Sequence, residues 1–119
     1  SVTLQLTSEG EALVDRAADW PDFLARAVET LQPPEQAAFL RTLVKLIRAL
    51  QESGDIQPQR MCVTCRYFRP FAHDDALSPH HCAYVDAPFG DRHLRLNCPD
   101  HAEAPFESRQ AAWERFAAP

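Results

Sequence analysis

The stretch MCVTCRYFRPFAHDDALSPHHCAYVDAPFGDRHLRLNCPDH, Met61 to His101, holds every cysteine of the chain. They stand in three places: Cys62-Val63-Thr64-Cys65, Pro79-His80-His81-Cys82 and Asn97-Cys98-Pro99-Asp100-His101. Two residues separate Cys62 from Cys65, a spacing that lets one tight knuckle offer two thiolates to one metal ion. Sixteen residues then lead to Cys82, and fifteen more to Cys98. Zinc takes four thiolate or imidazole ligands in a tetrahedron, and such closed sites hold small, loop-rich folds together. The reading is a structural zinc site with Cys62, Cys65, Cys82 and Cys98 as ligands.

The second half is not a clean pair of cysteines, so the ligand set has a second form. His101 or His81 would replace Cys82 or Cys98, with His101 favoured because two residues separate it from Cys98. An iron–sulfur cluster is the rival occupant: four cysteines are the right number, and Cys98-Pro99 is similar to a ferredoxin ending. A reversible disulfide between Cys62 and Cys65 is a third possibility.

Outside this stretch the totals set bounds. The 119 residues suffice for a modest core, and 45% apolar content argues for folding. A net charge of −5 argues against a broad basic face for nucleic acid. No apolar run has bilayer length and no signal peptide stands at the start, which implies a cytoplasmic protein without membrane insertion. In that compartment four cysteines favour metal or redox roles over structural disulfides.

Upstream, Val2, Leu4 and Leu6 alternate with Thr3 and Gln5, which predicts a strand. Ser8 with Glu11 forms a capping-box pattern. Leu13, Ala17, Trp20, Leu24, Val28 and Leu31 then keep helical phase, predicting one long helix kinked at Pro21, with a break at Asp19-Trp20 as the other option. Gln32-Pro33-Pro34 opens a second helix, whose seam is Leu40, Leu43, Ile47 and Leu50. Gly54 is suited to its left-handed cap. Such stripes serve either an intramolecular core or a dimer interface.

Downstream of Asp55, short strands and turns are expected. His93-Leu94-Arg95-Leu96 alternates like a strand, and Tyr67, Phe68, Phe71, Tyr84 and Phe89 are expected to cover the metal in a small satellite core. An aromatic nucleic-acid platform lacks its usual basic groove. Pro105 to Ala118 predicts a last helix, with Phe106, Trp113 and Phe116 on one face. The fold class is thus mainly α with a small β/loop metal-binding region. Its parts are 1–55, dimerisation helices behind a wing remnant; 56–104, the cysteine module; and 105–119, the terminal helix. No enzyme is expected: His73, Asp74 and Asp75 read as solvated surface, and the three glycines form no phosphate-cradling loop.

Leu4-Gln5-Leu6-Thr7-Ser8-Glu9-Gly10 resembles the end of the wing and the start of the long helix in MarR-family winged helix-turn-helix regulators. Leu31-Gln32-Pro33-Pro34-Glu35-Gln36, with Phe39, Leu40 and Leu43, resembles the join to that family's last helix. The resemblance covers Leu4 to Leu50. It implies a transcriptional regulator acting as a homodimer on operator DNA, with a recognition helix in the major groove. This sequence departs from the pattern: it offers no recognition helix, and it adds the cysteine region and terminal helix. Operator contact is therefore expected through an N-terminal half not present here, with Thr3 and Gln5 alone available on the wing remnant.

Overall fold

The computed structural model describes residues 1–118; Pro119, the last position of the expected terminal segment, lies outside them. About half of the chain is helical, and the strands form one small antiparallel sheet. The fold divides into two compact units, Ser1–Gln32 and the chain from Pro33 onward.

In the first unit, residues 1–6 join no ladder, contrary to the strand expected there. A strand is held by its hydrogen-bonded neighbour. Alternation alone does not supply one, and Val2 and Leu4 stand almost fully exposed. The helix cap also shifts by one residue. Thr7, not Ser8, accepts from the Gly10 N–H at 3.0 Å, and α1 runs Ser8–Ala17. The long kinked helix is in fact two: α2 begins at Trp20 and ends at Glu29. Pro21 explains the break. In the first turn of a new helix its missing N–H costs nothing, whereas in mid-helix it would remove a bond and clash. No residue of α1 or α2 is buried, and Leu13, Val14, Trp20, Phe23 and Leu24 are each more than half exposed.

The second unit is built on α3, Pro33–Glu52, which opens on two prolines where free N–H groups would otherwise be left over. It ends as expected, with Gly54 at φ +81°. The stripe facing inward is Leu40, Val44 and Ile47, with Val44 fully buried, while Leu46 stays exposed. Around Val44 gather Met61, Val63, Phe68, Leu94 and Phe116. One core therefore joins α3, the cysteine region and α4 (Phe106–Ala117). Phe116 is wholly buried and meets Phe68 edge-on at 5.9 Å, a burial that contributes about 1.5–3 kcal/mol. Trp113 packs against the same core, but Phe106 is 67% exposed, so it leaves the face it was expected to share. Phe68 likewise belongs to the main core and not to a separate satellite.

Strands β1 (Phe68–Arg69), β2 (His80–Cys82) and β3 (Ala87–Phe89) pair in that order. Cys82 sits opposite Phe68 on one side and Ala87 on the other. Asp86, at φ 53°, makes the turn into β3. Residues 94–96 form no strand, and His93 closes a 3-10 turn, Asp91–His93. Gly90 precedes that turn because a side chain has no room: a Cβ there would lie 2.2 Å from the Leu77 carbonyl oxygen.

Candidate functional site

The knuckle Cys62-Val63-Thr64-Cys65 folds as a 3-10 turn, closed by the Cys65 N–H on the Cys62 carbonyl at 2.9 Å. Val63 drives into the core, which turns the flanking cysteines outward to half-buried positions. Backbone bonds then tie distant segments to this turn. The Cys62 N–H reaches the Arg95 carbonyl at 3.1 Å, and the Arg95 N–H returns to Cys62 Sγ at 3.3 Å. The Cys98 N–H bonds to the Arg60 carbonyl at 2.9 Å. Arg66 and Ala104 donate across to Ala102 and Thr64, so the segment beyond Cys98 runs alongside the knuckle.

These ties place Cys62, Cys65, Cys82 and Cys98 on the wall of one pocket. All four are free thiols. The cavity measures about 210 Å³, and its other walls are largely apolar, among them Phe68, Val85, Pro88 and Phe89. Burial pushes the Cys62 thiol above its ordinary pKa. The Arg95 N–H on its sulfur works in the opposite direction, and the neighbouring Cys98, Cys65 and Cys82 add to the rise. At the rim, the Asp100 carboxylate beside Tyr84 raises that phenol's pKa as well.

Among the described residues, no group of three or more His, Cys, Asp or Glu side chains is arranged to hold a metal ion. The zinc knuckle expected from the spacing is thus not set as a closed tetrahedron; the four cysteines share a pocket instead. The histidines offered as substitute ligands are engaged elsewhere. His101 Nε2 meets Thr64 Oγ1 at 3.0 Å, and desolvation holds its pKa below the usual value. His81 lies between His73 and Asp86, at 2.9 and 3.0 Å. Neither lines the cysteine pocket, whereas His93 does. Of the aromatic residues expected to cover the metal, Tyr67, Phe68, Tyr84 and Phe89 line the pocket, and Phe71 packs on His80 instead.

Two polar clusters escaped the sequence reading. His80 is completely buried; its Nδ1 accepts from the Phe71 N–H at 3.1 Å and its Nε2 meets Asp91 Oδ1 at 2.7 Å. Arg41, reaching in from α3, lies 3.9 Å from the same carboxylate oxygen and stacks over Phe116 at 4.5 Å. It also donates to the Phe116 and Ala118 carbonyls, while Lys45 donates to that of Ala117. Cations from α3 therefore satisfy the free carbonyls at the end of α4. The second cluster is His73-His81-Asp86, which joins a histidine expected on solvated surface, His73, to one expected as a substitute ligand, His81. The His73–His81 pairing depends on the loop after β1 folding back on β2, where the His73 N–H bonds the Pro79 carbonyl at 3.0 Å, and no local pattern announces it.

Compared with known proteins, the chain matches no family model, no curated protein and no solved structure. Among the described residues, no helix is long and apolar enough to cross a membrane.

Proposed function

We propose that Cys62, Cys65, Cys82 and Cys98 form a metal-cofactor centre in the dimerisation and metal-binding portion of a cytoplasmic, DNA-binding transcriptional regulator. The observation that carries the centre is the convergence of all four cysteines, from a turn, a strand and a loop, on one pocket. Four thiolates take either zinc or an iron–sulfur cluster. The regulator reading is supported by the MarR-like stretch Leu4 to Leu50. The dimer is supported by the exposed apolar side chains of α1 and α2, Leu13, Val14, Trp20, Phe23 and Leu24, which have no buried partner within their own unit. Base reading belongs to a recognition helix that the resemblance implies and these residues do not supply.

The test is quantification of zinc and iron in freshly purified protein, alongside single alanine substitutions at the four cysteines. Stoichiometric metal lost in each variant supports the centre. A chain that carries no metal and takes up neither zinc nor iron overturns it.

A further inference from the structure

Between β1 and α4 runs an open groove separate from the cysteine pocket. Arg66 and Arg69 line it at β1, and Arg115 lines it on α4. All three are exposed, and each is held by a contact that leaves donors free. Arg69 Nη1 donates to the Arg66 and Phe68 carbonyls at 2.7 and 3.2 Å. Arg115 Nη2 donates to the Phe71 carbonyl at 2.8 Å. The Arg66 guanidinium lies over the Tyr67 ring at 5.7 Å. Among the described residues no carboxylate lies within ion-pair reach of any of the three, and none lines the groove. This holds in a chain with 17 acidic residues against 12 basic ones. The nearby acids are engaged elsewhere: Glu103 pairs with Arg109, and Glu114 accepts from Gln110. A guanidinium pinned at one corner keeps the rest of its planar fork for a carboxylate and loses little freedom on binding one.

We infer that this groove binds a short acidic peptide segment of a partner protein, laid out in extended form. Between the arginines the lining is small and apolar, with Pro70, Ala104 and Ala112 buried or half-buried. Pro105, Ser108, Ala112 and Arg115 recur at three- and four-residue steps, so they share one face of α4 and its cap. A rise of about 1.5 Å per residue gives that face a length of about 15 Å, enough for about four or five extended residues. Successive side chains of an extended chain point to opposite sides. Carboxylates on one side then meet the arginines, while small apolar residues on the other lie against the alanines. A nucleic-acid strand fits less well. The net charge of −5 opposes a polyanion, and of the lining rings only Tyr67 is open to a base, since Phe68 is buried.

Fluorescence anisotropy of a labelled peptide of alternating Glu and Ala, titrated with the full chain, tests this. The expected result is saturable binding that weakens as salt rises. Affinity should fall at least about tenfold in Arg66→Glu, and likewise in Arg69→Glu combined with Arg115→Glu. Arg115 also ties down the loop at Phe71, so Arg66→Glu alone decides if the double variant loses cooperative thermal unfolding. A matched peptide of Lys and Ala should not bind. No saturable binding of the acidic peptide, equal affinity in Arg66→Glu, or equal binding of the Lys peptide overturns the inference. Tighter binding of an oligothymidylate of the same length overturns it in favour of nucleic acid. Release of the peptide by micromolar inorganic phosphate overturns it in favour of a small-anion site.

Discussion

His80 lies 2.7 Å from Asp91, Nε2 to Oδ1, with its ring fully enclosed by Phe68, Phe71, Phe89 and Phe116. Because Nδ1 accepts the Phe71 N–H, the proton sits on Nε2 and points at the carboxylate. Phe71 itself is held at φ 52°, a conformation its own side chain disfavours. The ring therefore fastens the loop after β1 to the 3-10 turn that carries Asp91 and His93, the second of which lines the cysteine pocket. His80→Ala leaves a cavity and an unpaired N–H. It should destabilise the second unit by about 3–5 kcal/mol in urea unfolding. A loss under about 1 kcal/mol would show that the ring is not structural.

Arg41 extends the same network to α4. Its guanidinium meets Asp91, the Phe116 ring and two carbonyls at the helix end. Arg41→Lys keeps the charge but not the planar fork, and should cost about 1–2 kcal/mol, with Arg41→Ala costing more. Amide exchange in residues 113–117 reads the effect directly: protection should fall there first.

Two glycines separate steric need from backbone need. At Gly90 any side chain meets the Leu77 carbonyl, so Gly90→Ala should cost about 2–3 kcal/mol through forced backbone movement. At Gly54 nothing lies within 4 Å and only φ is unfavourable, so Gly54→Ala should cost about 1 kcal/mol. Thermal denaturation of the pair should rank them in that order.

Much of the helical frame was legible in the sequence. Pro33 and Gly54 bracket α3 because each acts through its own backbone, without reference to the rest of the fold. The inward face is legible in part: Leu40 and Ile47 of the expected seam fall on it, but the fully buried residue at its centre is Val44, which the seam does not include. Expected strands failed at both Leu4 and Leu96, where alternation had no neighbouring chain to pair with. The helix break at Ala18-Asp19 turned on Pro21, which fits a first turn better than a kink. Four cysteines were visible by spacing, yet their shared pocket depends on the bonds from Arg95 to Cys62 and from Cys98 to Arg60. Those cross more than thirty residues and leave no local signature. His80 was hidden for the same reason: its partners lie nine and eleven residues away.

The open face of α1 and α2 gives a prediction about association. The wild-type chain should sediment as a dimer at micromolar concentration. Trp20→Glu combined with Leu24→Glu places two charges among exposed apolar side chains and should weaken association at least about tenfold. Unchanged sedimentation of the double variant would remove this face from the dimer.

Loss of metal should be felt locally. Stripping the centre with a chelator should raise amide exchange across residues 61–101 while the exchange of α1 and α2 stays as it was. Exchange that rises equally in Ser8–Ala17 would mean that the metal supports more than its own unit.

The central claim is that the sulfurs of Cys62, Cys65, Cys82 and Cys98 close around one metal cofactor. Anomalous diffraction from crystals of the freshly purified protein, recorded at the iron and zinc edges, tests it most directly. The account predicts strong anomalous density inside the pocket bounded by these four sulfurs, at the zinc or the iron edge. A pocket without anomalous density at either edge, after growth with both metals supplied, would contradict it.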